Sequence, residues 1–215
     1  METIMENGKK SLKEKKVETI RHILDAATEV FADAGFAGAR IDKIAERAGV
    51  NKAMIYYRIG DKEALYTEVL HNVFGDAAER IARNIEQGQP PEEKLKNYVM
   101  NMASLLERHP YLPHIMMREM ASGAHHLNEV IATDLSRILG VISGILDDGV
   151  KKGAFIRTDP LIVHMMVIGV MLLFRVSMPV REIFYTLLHD KGIKKSSFKD
   201  MVGEIEKLVL RALKV

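Results

Sequence analysis

Apolar residues recur along the chain at three- and four-residue steps, and no stretch sustains the alternation of a strand. Val17, Ile20, Leu24, Ala27, Phe31 and Ala34 form one stripe, predicting a first helix that Gly35 ends. Ile41, Ile44, Ala45 and Ala48 predict a short second helix ending at Gly49, and a third follows Asn51 and runs through Tyr56 and Tyr57. Asp61 precedes Lys-Glu-Ala-Leu as an N-cap for a long fourth helix reaching toward Gln87. Beyond the break at Gly88-Gln-Pro-Pro91, Leu95 to Leu106 mark a further helix stopped near His109-Pro110, and a short piece covers 112–121. Leu127, Ile131, Leu135, Ile138, Ile142 and Ile145 trace a long helix, Asp159-Pro160 opens an apolar one over 161–176, and Phe198 to Leu213 form the last. The pattern predicts an all-α chain of about nine helices, with a short extra helix in the long connection from Met178 to Lys195.

Composition narrows the chemistry. The 215 residues are 47% hydrophobic and contain no cysteine, which excludes disulfides, thiolate metal sites and a cysteine nucleophile. The first fifteen residues are charged throughout and lack a secretory apolar run, predicting a flexible basic tail and a cytoplasmic protein. The segment Leu161 to Val176 contains His164 and Arg175 and is shorter than the roughly 20 apolar residues of a spanning helix, so a core or subunit-interface helix is expected and no membrane partner. Net charge is only +2, so any nucleic-acid contact must rest on a local patch. Between Arg40 and Lys62 stand Arg40, Lys43, Arg47, Lys52, Arg58 and Lys62 against Asp42, Glu46 and Asp61.

That patch surrounds a helix-turn-helix pattern. Ala45 is small enough for close helix approach, Gly49 can leave the helix with positive φ, and Asn51 can cap the next helix. Ile44, Ala48, Val50 and Ile55 take the positions of a small shared core. Lys52, Ala53 and Met54 then point outward at the start of a helix that fits the major groove, with Tyr56 and Tyr57 further along and Lys62 beside amides suited to phosphate. An ordinary helix pair in a bundle would share the Ala45–Gly49 spacing.

The neighbouring residues decide between them. Phe31-x-x-x-Gly35-Phe36, Ile44-Ala-Glu-Arg-Ala-Gly-Val50, Ile55-Tyr-Tyr-Arg58 and Lys62-Glu-Ala-Leu65, in this order and spacing, resemble the N-terminal domain of the TetR family of bacterial transcriptional regulators. The resemblance implies a homodimer with a helix-turn-helix domain over 16–62 and a ligand-binding and dimerisation domain over 63–215. It also implies a repressor that grips a palindromic operator and is released by a small molecule, with helix four carrying the signal. Two recognition helices would meet half-sites roughly 34–36 Å apart or more. The implied DNA contacts are Arg40, Lys43, Asn51, Lys52, Ala53, Met54, Tyr56, Tyr57 and Lys62, and the implied dimer helices are 161–176 and 198–213. Arg40 stands where the family commonly has a capping Thr or Ser, Asn51 where serine is frequent, and Ile59 where an aromatic is common.

The thirteen methionines point to an adaptable pocket for a small hydrophobic or aromatic effector, with Met102, Leu105, Met116, Met120, Leu127, Met165 and Met166 as candidate ligand contacts. His109, His114, His125, His126 and His164 raise a metal-responsive alternative, but no pair has repeated ligand spacing, and neither metal nor cofactor is expected. The chain has no His-Glu-x-x-His, Gly-x-Ser-x-Gly or glycine-rich nucleotide loop, so no catalysis is expected. A helical dimerisation adaptor that does not touch DNA is the second alternative.

Overall fold

The computed structural model describes residues 2–85, 88–188 and 195–215, with side chains from residue 16 onward. Ten helices run through them: α1 Glu2–Gly38, α2 Ile41–Ala48, α3 Lys52–Arg58, α4 Lys62–Asn84, α5 Pro91–Arg108, α6 Leu112–Ala121, α7 Glu129–Lys151, α8 Pro160–Val176, α9 Met178–Leu187 and α10 Phe198–Leu213. The tenth relative to the expected nine is α9, inside the connection where a short extra helix was expected. The expected tail is continuous in backbone with α1, which begins at Glu2 rather than near Val17. Val17 is exposed, so the apolar stripe starts in earnest with Ile23 and Leu24. The helical path breaks at Gly35, whose φ of 68° and ψ of 176° are non-helical, where the sequence places the end of the first helix. Leu127 lies before α7, not within it. The expected reach of α4 to Gln87 falls outside the described residues beyond Ile85.

The chain packs as two units: Met1–Asn72 with His114–Val130, and Val73–Pro113 with Ile131–Val215. The stretch 114–130 thus packs with the N-terminal helices, although the sequence divides the chain at 62/63. The reason is a set of polar clasps. Arg118 of α6 donates from Nε to the Ala32 carbonyl at 3.0 Å and from Nη2 to that of Asp33 at 2.9 Å. Carbonyls at a helix end have no intrahelical partner, and a guanidinium satisfies two at once.

In the second unit α5, α8 and α10 pack together, with Leu95, Val99, Met102, Leu106, Val167, Met171 and Val209 in the core. Lys94 reaches from α5 to Asp148 on α7 at 2.8 Å, and Tyr98 meets His164 Nδ1 at 2.6 Å. Burial pushes the His164 pKa down. Gly149 lets the Phe155 ring lie close against α7: a Cβ there would stand 2.0 Å from Cδ2 of that ring. Among the described residues no single helix is long and apolar enough to cross a membrane.

Candidate nucleic-acid interface

The first unit builds a steep helix pair from local rules. Gly49 ends α2 with φ 65° and ψ 30°, a conformation that would strain any residue with a Cβ. Its neighbour closes the turn, Val50 N–H donating to the Ala45 carbonyl at 3.0 Å. Asn51 then caps α3 by accepting from the Ala53 N–H at 2.9 Å, as its amide suggests from sequence. Ala45 is buried where the helices approach, and Ile44 and Ile55 are fully enclosed, while Ala48 and Val50 are half-buried. With Ile55 pointing in, Lys52, Ala53, Met54, Tyr56 and Tyr57 must point out, and all five are exposed, Tyr57 at 79%.

The basic residues around α3 are not idle. Lys52 pairs with Asp42 at 2.8 Å and Arg40 with the same carboxylate at 3.7 Å. Lys43 pairs with Glu46 at 2.9 Å, and Arg47 with Glu29 at 3.2 Å. The hydrogen bond from Lys52 holds the Asp42 carboxyl below its usual range. These pairs are solvent-exposed, where salt and side-chain entropy leave little net gain, so a phosphate backbone can compete for the same cations. Arg40 occupies the N-cap of α2 without a side-chain capping bond, which leaves the guanidinium exposed on the same side as Asp42.

Lys62 departs from expectation. Its ammonium donates to the Ala39 carbonyl at 3.1 Å and the Ala37 carbonyl at 3.4 Å, and lies 4.5 Å from the Phe36 ring centroid. The end of α1 offers unsatisfied carbonyls and an aromatic face, and a half-buried cation answers both. Lys62 is therefore a clasp joining α4 to the end of α1 in this structure, not an amine held out for phosphate.

Behind this surface lies a cluster that sequence reading missed. Glu119 of α6 is 2% exposed and accepts from the Tyr66 hydroxyl at 3.0 Å and the His126 N–H at 2.8 Å, with His126 Nδ1 3.2 Å from each carboxylate oxygen. Burial pushes its pKa up, but the His126 N–H, the Tyr66 hydroxyl and the His126 ring outweigh it and hold the carboxyl below the ordinary range. His126 stacks on Phe36 at 3.9 Å, and Tyr66 meets Phe31 and Phe36 edge-on at 4.8 and 5.2 Å. The hint in the sequence is the pair Arg118-Glu119 on a short helix, Leu-Pro-His-Ile-Met-Met-Arg-Glu-Met-Ala, whose other residues are mostly apolar.

The ligand candidates are not gathered in one unit. Met102 and Leu105 are buried on α5, whereas Met116, Met120 and Leu127 belong to the first unit, and Met120 is exposed. Met165 and Met166 sit at 48% and 41% exposure on the outward face of α8, unlike residues lining an enclosed pocket within the chain. Among the described residues no group of three or more His, Asp or Glu could hold a metal ion.

An exposed, Asn-capped helix set by a left-handed glycine turn on a small core makes the first unit the reading head of a helix-turn-helix DNA-binding regulator. The comparisons agree. Residues 23–69 match the family model for bacterial regulatory proteins of the tetR family, and residues 91–201 match a tetracyclin repressor-like C-terminal domain. The chain is 32% identical over 163 residues to the HTH-type transcriptional repressor NicS of Pseudomonas putida, covering 74% of this chain and 76% of that protein. It is 30% identical over 138 residues to the HTH-type transcriptional regulator RutR of Escherichia coli K12, covering 64% of this chain and 65% of that one. The same fold appears in the crystal structure of FadR from Bacillus subtilis in complex with stearoyl-CoA, at a TM-score of 0.68 and 24% identity over 89% of this chain and 98% of that one. The chain belongs to the TetR family and is a DNA-binding transcriptional regulator.

Proposed function

We propose that this regulator is a cytoplasmic repressor that grips a palindromic operator as a homodimer and is released by a small hydrophobic or aromatic effector. The observation that carries the DNA-reading part is the outward turn of α3, Lys52 to Met54 with Tyr56 and Tyr57, exposed beside a capped helix start. Base edges would be met by Ala53, Met54 and Tyr56, and phosphates by Arg40, Lys43, Lys52 and Tyr57, after release of the cations from Asp42 and Glu46. Asn51 acts mainly as the cap. No catalytic step belongs to this reading.

The dimer reading is supported by α8, whose residues Leu161, Ile162, Met165, Met166, Val170 and Leu173 are exposed although the helix is almost wholly apolar. Soluble chains rarely leave such a face to water, and α10 is packed beside it. For the effector, Met102 and Leu105 remain candidate contacts, and the Tyr98–His164 pair is a polar group set in apolar surroundings, as ligand sites commonly have. Stearoyl-CoA is the first compound to try, because the Bacillus subtilis FadR crystals contain it.

The test is fluorescence anisotropy with a duplex enriched from a random pool by the wild-type protein. Tyr56→Ala is expected to weaken binding at least tenfold, and Lys52→Ala to lower the salt slope by about one. Stearoyl-CoA or a small aromatic library should then displace the duplex. Wild-type affinity and salt slope in both variants would sink the docking of α3.

A further inference from the structure

Two arginines meet where α8, α9 and α10 come together, and among the described residues neither is answered by a carboxylate. Arg175, near the end of α8, stacks on the Phe198 ring of α10 with its guanidinium 3.8 Å from the centroid, and Arg181 of α9 stacks on the Phe174 ring of α8 at 3.5 Å. The two rings lie 6.1 Å apart, which brings both cations to one corner. Both side chains are half-buried. Of the three buried side-chain nitrogen or oxygen atoms without a hydrogen-bond partner among the described residues, two are the Nε atoms of Arg175 and Arg181. A ring face attracts a cation but offers no acceptor in the guanidinium plane, so stacking leaves these donors unanswered. Arg181 gives only Nη2, to the Phe174 carbonyl at 3.0 Å. The acids of the same corner are committed elsewhere. Glu182 pairs with Lys195 at 2.6 Å, and Asp200 accepts from the Ser197 hydroxyl at 2.7 Å and the Ser197 N–H at 3.0 Å in a capping box. The field is positive enough to show on a neighbour: the Ser196 N–H first, and Arg181 after it, hold the Tyr185 hydroxyl below its ordinary pKa.

We propose that this corner is an anion site that takes the phosphate group of a small molecule through Arg175 and Arg181. A cation withdrawn from water without a partner is costly, and folded chains pair such charges or bind an ion to them. A guanidinium edge presents a fork of N–H donors that matches two oxygens of one phosphate. Two arginines call for two negative charges, which a phosphate group approaches near neutral pH and a single carboxylate does not. Bound there, the anion joins α8 and α9 through their arginines and α10 through the Phe198 ring beneath Arg175. The site is independent of the homodimer reading. Arg175 follows the buried Met171 by one helical turn, so it lies on a different face of α8 from the exposed Met166, Val170 and Leu173.

The test uses the full-length chain, isotope-labelled for NMR. Inorganic phosphate and phenyl phosphate are titrated in separately at constant ionic strength, and the arginine Nε–Hε signals, assigned through their own backbone amides, are followed. The Arg175 and Arg181 signals should move saturably, with a dissociation constant below about 1 mM for at least one of the two compounds. Tighter binding of the ester marks an organic phosphate as the ligand, and equal binding marks the free ion. Arg175→Gln and Arg181→Gln should each weaken binding about tenfold or more with helix content unchanged, and Arg181→Lys, which keeps the charge but loses the fork, should weaken it less. Signals that fail to saturate, that respond equally to sodium chloride, or that move only for Arg40, Arg47 and Arg58 in the first unit overturn the proposal. Should a variant misfold, the wild-type titration decides by itself.

Discussion

Removing one hydroxyl, Tyr66→Phe, measures what fastens α6 to the reading head. The ring stays in place against Phe31 and Phe36, so the change isolates the hydrogen bond to Glu119. Glu119 is 2% exposed, which leaves bulk water unable to take over the lost donor. A hydrogen bond to a charged group contributes about 1.5–3 kcal/mol, and a buried acceptor left short of a donor sits in the upper part of that range. A cavity of about 170 Å³ borders Tyr66 and Glu119, and a single water drawn into it would bring the loss toward the lower bound. The expected loss is therefore about 2 kcal/mol, or roughly 4–8 °C in melting temperature for a chain of this size. Urea denaturation followed by circular dichroism at pH 7 reads it directly. A double-mutant cycle with Glu119→Gln should show a coupling of about 1 kcal/mol or more, because both changes act on one contact. A loss below about 0.5 kcal/mol for Tyr66→Phe, or strict additivity in the cycle, refutes the view that this bond fastens α6.

Three other outcomes are expected. Asp42→Asn removes the carboxylate that holds Lys52 and Arg40, so operator affinity should rise and its salt dependence steepen, as read by anisotropy across a salt series. Gly149→Ala places a Cβ 2.0 Å from the enclosed Phe155 ring and should cost about 1–3 kcal/mol in a thermal melt, partly recovered by Phe155→Leu. Burial raises the pKa of both Tyr66 and Tyr98 above the ordinary 10.0. Their folded-state protons are held where the unfolded chain releases them, so this stability is fully present below pH 10 and is lost as pH rises beyond it. Tyr98→Phe should flatten the alkaline limb of a stability–pH profile.

The reading head was largely legible in the sequence because each of its parts follows a local rule. Gly49, Asn51, Ala45 and Ile55 act within a few residues of one another, and a turn, a cap, a close approach and an inward side chain can each be read from type and spacing. What the sequence leaves hidden is long-range. Lys62 looks like a phosphate ligand until the Ala37 and Ala39 carbonyls, more than twenty residues earlier, are seen to hold it. Tyr66 and Glu119 are 53 residues apart, and nothing in periodicity brings them together. Methionine suits a pocket, and only the packing shows that Met165 and Met166 lie on the outward face of α8. That α9 would expose its apolar side was equally hidden, since amphipathicity shows that a helix has two faces and not which one its own chain covers.

The clasps also limit how an effector can act. Arg118 makes two hydrogen bonds to carbonyls at the end of α1, and Glu119 takes two from donors on α4 and the α6–α7 connection. At about 1.5–3 kcal/mol for each charge-assisted bond, pulling α6 off the head would cost several kcal/mol. Allosteric couplings commonly amount to only about 1–3 kcal/mol, so an effector has too little differential affinity to break this set. The second half of α6 is therefore expected to stay with the reading head as one piece. Hydrogen exchange with and without a releasing effector checks this. The Ser122, Ala124 and His126 amides, bonded to Arg118, Glu119 and the Glu119 carboxylate, should keep their protection when the operator is released. Faster exchange at those amides on effector binding would show that the clasp opens, and that release works by detaching α6 from the head.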